Sequence, residues 1–182
     1  MLPIFSMIGP GMSKGVYMAV FNYVNIPFVS KQLYNSDFMS IIVSMLPSLS
    51  MDDDIRNVFM ILKQFVLMQD DNCNDMGRSL IPFFEFGFHT ENVTFYQNTL
   101  ALLDATLTNC SPPELYQMLI KHNIDDILME RFESIGHFYK EASLNIFSEL
   151  TLIKIYGEVF WNKELIEKLC LLYFFVALIL LK

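Results

Sequence analysis

This chain of 182 residues has little cysteine, little positive charge and no recognisable catalytic motif. Its three cysteines, Cys73, Cys110 and Cys170, stand far apart, with no CxxC and no histidine at metal-ligand spacing. An odd, scattered set builds no disulfide framework and reads as the reduced thiols of an intracellular chain. The expected compartment is the cytoplasm, with the nucleus left open. Asn92-Val-Thr and Asn109-Cys-Ser match the glycosylation sequon, which matters only in a secreted protein. No basic region opens the chain, and Pro3, Gly9, Pro10 and Gly11 interrupt its first apolar stretch, so no signal peptide is read there.

Lysine and arginine number 12 against 20 acidic residues, a net charge of −8. Nucleic-acid binding draws most of its affinity from clustered cations, so that class is set aside. Charged residues amount to only 18% of the chain, which is low for a soluble domain and suggests that much of the surface is covered.

Catalytic and metal-binding patterns are missing as well. There is no G-x-S-x-G elbow and no G-x-x-x-x-G-K-[ST] loop, and the stretch between Gly11 and Gly15 follows no predicted strand. His89, His122 and His137 fall in predicted turns without an i,i+4 histidine or carboxylate partner, so convergent metal ligands are not supplied. The acidic clusters, Asp52–Asp53–Asp54 and Asp70–Asp71 with Asp75, lack the alternating oxygens, central glycine and terminal glutamate of a calcium loop. Helix capping and a solvated loop account for them. The expectation is a protein that is not an enzyme and has no cofactor and no metal.

What the chain has is apolar surface. Hydrophobic residues make up 53%, with 12 Met and 17 Phe, far above what a disordered chain carries. The length suits one domain better than two. At helical spacing the Met and Phe residues read as core, and Trp161, the lone tryptophan, as a partly buried side chain.

The apolar residues recur with a period. FYQNTLALLDATL at residues 95–107 is followed 43 residues later by FYKEASLNIFSEL at 138–150. VYMAVFNYV at 16–24 lines up with VFMILKQFV at 58–66 after a shift of 42, and a further 41 reaches 99–107. MLPIFSM at 1–7 matches MLPSLSM at 45–51 in five of seven positions. Four copies of one amphipathic helix therefore follow one another at shifts of 42, 41 and 43, which is the signature of stacked helical units. Val58, Leu62, Phe65 and Val66 share one face; Leu100, Leu103 and Leu107 share another, as do Ala142, Ile146 and Leu150. Asp52–Asp54 and Thr90-Glu91-Asn92 offer capping oxygens and favourable charge at helix starts, and residues 134–136 break the chain before the fourth copy.

Ahead of each long helix stands a shorter, nearly continuous apolar segment, at 38–46, 80–88 and 124–132. A further short helix is clearest at Ser111-Pro112-Pro113-Glu114, where serine caps, proline takes the first helical position and glutamate the third; it runs through 115–122 and turns at Asn123. A counterpart is expected at 28–35, whereas the polar QDDNCNDMGR at 69–78 reads mostly as loop. One unit is thus short helix, buried helix, long amphipathic helix.

SPPELYQMLIKHNIDDILMERFESIGHFYKEASLNIFSELT, residues 111–151, resembles an armadillo repeat in its proline-glutamate start, its N-I-D-D-I-L turn into the second helix and its third helix. The two-helix HEAT repeat is the near alternative. The resemblance implies an all-α, right-handed solenoid of about four repeats over residues 1–182: a partial unit at 1–26, then 27–67, 68–110 and 111–153, and a partial unit at 154–182. It also implies that the third helices line a concave face. The aligned polar positions there are Arg56, Gln97 and Lys140, then Asn57, Asn98 and Glu141, and further along Lys63 with Asp104 and Gln64 with Ser148. These ten residues are the candidate contacts for a partner protein or peptide, in a scaffold or adaptor. The family's nuclear-import adaptors carry Trp-x-x-x-Asn on the third helix. Here Leu144 and Ser148 stand in those places, a departure from import-signal recognition.

Residues 165–181 shift back by 42 onto 123–139, setting Ile166, Leu169, Leu171 and Phe174 against Ile124, Ile127, Met129 and Phe132. The tail therefore reads as a second helix with no third helix after it, and the uncovered terminal units invite self-association. The alternative is a small helical protein held at a membrane by this segment, whose 13 uncharged apolar residues at 169–181 fall short of the ~20 that span a bilayer.

Overall fold

The computed structural model describes residues 14–34, 36–68, 73–110 and 113–156. Ten α-helices occupy them, and no strand occurs among the described residues. Residues 1–7, Trp161, the tail at 165–181 and the expected cap at Ser111 lie outside them.

The chain divides into two compact units, Met1–Pro112 and Pro113–Lys182, each taken here by itself. The first holds α1 (Lys14–Val24), α2 (Pro27–Tyr34), α3 (Phe38–Met45), α4 (Asp52–Leu67), α5 (Cys73–Ser79), α6 (Ile81–His89) and α7 (Val93–Asn109), with a 3-10 turn, Leu46–Ser48, after α3. The second holds α8 (Pro113–Lys121), α9 (Ile124–Arg131) and α10 (His137–Tyr156). Short, short, long is the order in α2 to α4, α5 to α7 and α8 to α10, and α1, of 11 residues, precedes them.

Local chemistry explains the boundaries. Asn92 caps α7, its Oδ1 accepting from the Phe95 N–H at 2.9 Å. This is one of the orphan donors that every helix start leaves to be satisfied. Pro47 and Pro82 sit in the first turns of their elements, where a missing N–H costs nothing. Asn123 turns α8 into α9 with φ 52° and ψ 40°, the left-handed region that asparagine tolerates better than most residues.

Two expectations need correction. Residues 69–78 are not mostly loop: α5 covers Cys73–Ser79, with Met76 and Gly77 buried. Burial against α6 supplies what its polar sequence lacks, and an exposed Arg78–Asp75 pair at 2.5 Å lies along it. Nor do the aspartates cap α4. The N-cap is Met51, which gives no side-chain hydrogen bond, and Asp52, Asp53 and Asp54 form the first turn. There their charge complements the helix dipole, but only two of them meet solvent. Asp54 is buried and accepts a hydrogen bond from the Tyr17 hydroxyl of α1.

In the first unit α4 packs against α1 and against α7, and α6 packs against α7. Phe59 of α4 joins α4, α6 and α7, its ring 5.0 Å from that of Phe95 and 6.5 Å from that of Phe83, both edge-on as the aromatic quadrupole prefers. Phe86 and Phe88 of α6 meet Phe95 and Tyr96 at 5.1 and 5.6 Å. In the second unit α9 and α8 both pack on α10. Two polar ties cross it: the Tyr116 hydroxyl donates to Glu149 Oε2 at 2.5 Å, and Lys154 Nζ pairs with the buried carboxylate of Asp125.

Burial keeps the sequence register in all four long helices. Tyr17, Phe59, Leu100 and Ser143 are buried; so are Val20, Leu62, Leu103 and Ile146, and so are Val24, Val66, Leu107 and Leu150. Each set is related by the shifts of 42, 41 and 43. The one polar member, Ser143, keeps its hydroxyl buried without a hydrogen-bond partner.

Candidate functional site: the polar positions of the long helices

The long helices bury the stripe that contains 59, 62 and 66 and its equivalents, and the candidate positions lie beside or opposite that stripe. On α4, Arg56 and Lys63 are exposed, and Asn57 and Gln64 are half-buried. On α7, which packs directly against α4, Gln97, Asn98 and Asp104 are half-buried. The first unit thus brings seven of the ten candidates onto two neighbouring helices. In the second unit Glu141 is exposed and Lys140 half-buried on α10. Ser148 differs, being only 9% exposed, so its hydroxyl is not presented to a partner.

Several of these groups are already engaged. Arg56 reaches back to Asp53 at 3.3 Å and Asp52 at 3.8 Å, an exposed pairing of the kind worth a few tenths of a kcal/mol. Its guanidinium remains exchangeable, because solvent can replace both carboxylates. The Asn98 amide donates to the Thr94 carbonyl one turn earlier at 2.7 Å. Lys140 lies 3.6 Å from Glu133 and 5.0 Å from the centre of the Phe132 ring, a cation–π arrangement that steadies its long side chain. Asn57 and Gln64 carry both amide donors and an acceptor and can meet an extended backbone, whose own N–H and C=O groups need partners.

The buried polar ties were not legible in the sequence. Tyr17–Asp54 joins residues 37 apart, Tyr116–Glu149 joins 33 and Asp125–Lys154 joins 29, and no local pattern marks such pairs. Burial, then the charge of Asp54 and the hydrogen bond to it, push Tyr17 up to about 12 from the ordinary 10. Tyr34 of α2 is also raised, first by burial and then by Asp75 of α5, with Arg78 acting in the opposite sense.

Nothing in the described residues gathers three metal-ligating side chains. His89 ends α6 with Nδ1 2.7 Å from the Glu85 carbonyl, His122 stands in the turn after α8, and His137 opens α10. Among the described residues no helix is long and apolar enough to cross a membrane. No protein-family model, curated protein or solved structure matches this chain.

Proposed function

We propose that the chain is a non-catalytic scaffold or adaptor of armadillo type: a right-handed solenoid whose third helices, α1, α4, α7 and α10, present a face to an extended segment of another protein. The cytoplasm is the compartment this reading favours. The observation that carries it is the buried register, repeated in four long helices at shifts of 42, 41 and 43. A helix that buries the same stripe in every copy offers the same complementary stripe in every copy, and that is how stacked repeats build an extended binding surface.

The contacts assigned to the partner are Arg56, Asn57, Lys63 and Gln64 on α4, Gln97, Asn98 and Asp104 on α7, and Lys140 and Glu141 on α10; Ser148 is left out because it is buried. Amide side chains at Asn57, Gln64, Gln97 and Asn98 suit a peptide backbone in extended form, since they donate and accept without imposing a charge. Selection from a displayed random-peptide library tests this. Peptides that bind the wild type should lose at least tenfold in affinity against Asn57→Ala/Asn98→Ala, with the circular dichroism unchanged. Binders equally tight to both proteins would place the contact elsewhere.

A further inference from the structure

Charge is unevenly shared along the chain. Helices α1 and α2 with the turn between them, residues 14–34, hold two of the 12 cations, Lys14 and Lys31, and none of the 20 acidic residues. The net charge of −8 therefore divides into +2 here and −10 over the rest of the chain. Two carboxylates that act on these helices are engaged: Asp54 is buried and bonded to Tyr17, and Asp75, whose charge reaches Tyr34, is paired with Arg78 at 2.5 Å.

The same region carries Phe28, at 73% exposure the barest large apolar side chain among the described residues. In α2, Phe28, Lys31 and Gln32 stand three and four residues apart and share the exposed face, turned away from the buried Ser30 and Leu33. Tyr23 and Ile26, 41% and 46% exposed, stand just ahead of them. The Ile26 N–H donates to the Tyr23 carbonyl at 3.1 Å, which fixes the turn that leads into Phe28.

An apolar projection beside a lysine, with no acidic residue in its helix pair, suits an anionic headgroup layer. A phenyl ring this bare would need a matching hollow in a protein partner, whereas a bilayer receives it without one. Tyrosine is at home at the membrane–water boundary, where its ring is covered and its hydroxyl stays wet. A lysine stem lies along the apolar surface and carries its ammonium group out to the headgroups.

We propose that the α1–α2 turn docks on an anionic membrane surface, with Tyr23, Ile26 and Phe28 at the headgroup–acyl boundary and Lys31 on the headgroups. The protein then lies on the bilayer through this turn and does not cross it there. One lysine and three apolar side chains make a weak, reversible and salt-sensitive contact. The proposal is independent of the peptide-binding reading, whose contacts are on α4, α7 and α10.

Flotation of the 182-residue chain with lipid vesicles tests it. One set of vesicles is phosphatidylcholine alone, and the other carries about one-third phosphatidylserine. At low salt the wild type should bind the anionic vesicles at least tenfold more tightly than the neutral ones, and ~0.5 M salt should release it. Phe28→Ser should weaken that binding at least tenfold and Lys31→Glu at least fivefold, with the circular dichroism unchanged, and Phe28→Trp should retain it. A wild type that floats with neither set overturns the proposal and leaves the turn to a protein partner. Equal binding to both sets, or binding unchanged in folded Phe28→Ser, also overturns it, because another segment would then hold the lipid. Should a variant fail to fold, the lipid and salt dependence of the wild type still decides. The peptide-binding reading is tested separately at Asn57 and Asn98, so either can fail without the other.

Discussion

Replacing Gly87 by alanine tests how closely α6 lies on α7. In an exposed helix the change would stabilise by roughly 1 kcal/mol, because glycine loses more backbone freedom on folding. Here the added methyl would overlap the Thr99 hydroxyl and lie 2.6 Å from its Cγ2 and 2.7 Å from its Cβ. Rotation about χ1 can swing the hydroxyl and the methyl of Thr99 aside, but its Cβ is fixed to the backbone of α7, so a helix must move. Forcing extra volume into a packed core typically costs about 1–3 kcal/mol, and strain of this kind outweighs the propensity gain. We expect Gly87→Ala to lower stability by about 1–2 kcal/mol in urea titrations followed by far-ultraviolet circular dichroism. Adding Thr99→Ala removes two of the three close approaches and should return part of that loss, a coupling of about 0.5 kcal/mol or more. A gain of about 1 kcal/mol from Gly87→Ala alone would refute the reasoning, because it would mean that α6 and α7 stand far enough apart for a side chain.

Leu103→Ala and Ile146→Ala, both at buried positions, should each lower stability by about 2–5 kcal/mol in the same titration, whereas Lys63→Ala on the exposed side of α4 should change it by no more than about 0.5 kcal/mol. A reversed ranking would mean that the buried face has been misplaced. Asn92→Ala removes the cap of α7 and should cost about 0.5–2 kcal/mol, with Asn92→Asp retaining most of the stability. Tyr17 gives a dependence on alkaline pH. Its folded value of about 12 lies above the ordinary 10, so its contribution is complete below pH 10 and is lost as pH rises toward 12. Absorbance titration at the tyrosinate band should lose its contribution near pH 12 in Tyr17→Phe, with Tyr34 still ionising later than an ordinary tyrosine, and the stability of that variant should fall less steeply over the same interval.

The long helices were legible because their information is local. Apolar residues at helical spacing mark the buried stripe of α4, α7 and α10, and Asn92 marks a start with an oxygen at the correct offset. Helix α5 was not legible, since CNDMGRS has no apolar period; among its described side chains Met76, Gly77 and, just after the helix, Leu80 are buried. Tertiary contact decides such a segment, and propensity alone misleads. The candidate site divides in the same way. The register marks which positions lie beside the buried stripe, and Arg56, Lys63 and Glu141 are exposed there. Which polar side chains stay accessible depends on neighbours far along the chain. Ser148 is buried, and Asp54, which looks like a solvated cap, is buried and bonded to Tyr17 instead. Length of side chain separates the two outcomes: a long cation reaches solvent from a crowded position, and a hydroxymethyl group does not.

The central claim is that one three-helix unit recurs along the chain, and thiol accessibility measures it most directly. With the three native cysteines replaced, single cysteines would be placed in turn through residues 14–24, 56–67, 97–108 and 140–151, and their labelling rates compared. The account predicts slow labelling at 17, 20 and 24 that returns at 59, 62 and 66, at 100, 103 and 107, and at 143, 146 and 150, with fast labelling at 14, 56, 63 and 141. Protection that does not repeat at shifts of 42, 41 and 43 would contradict it.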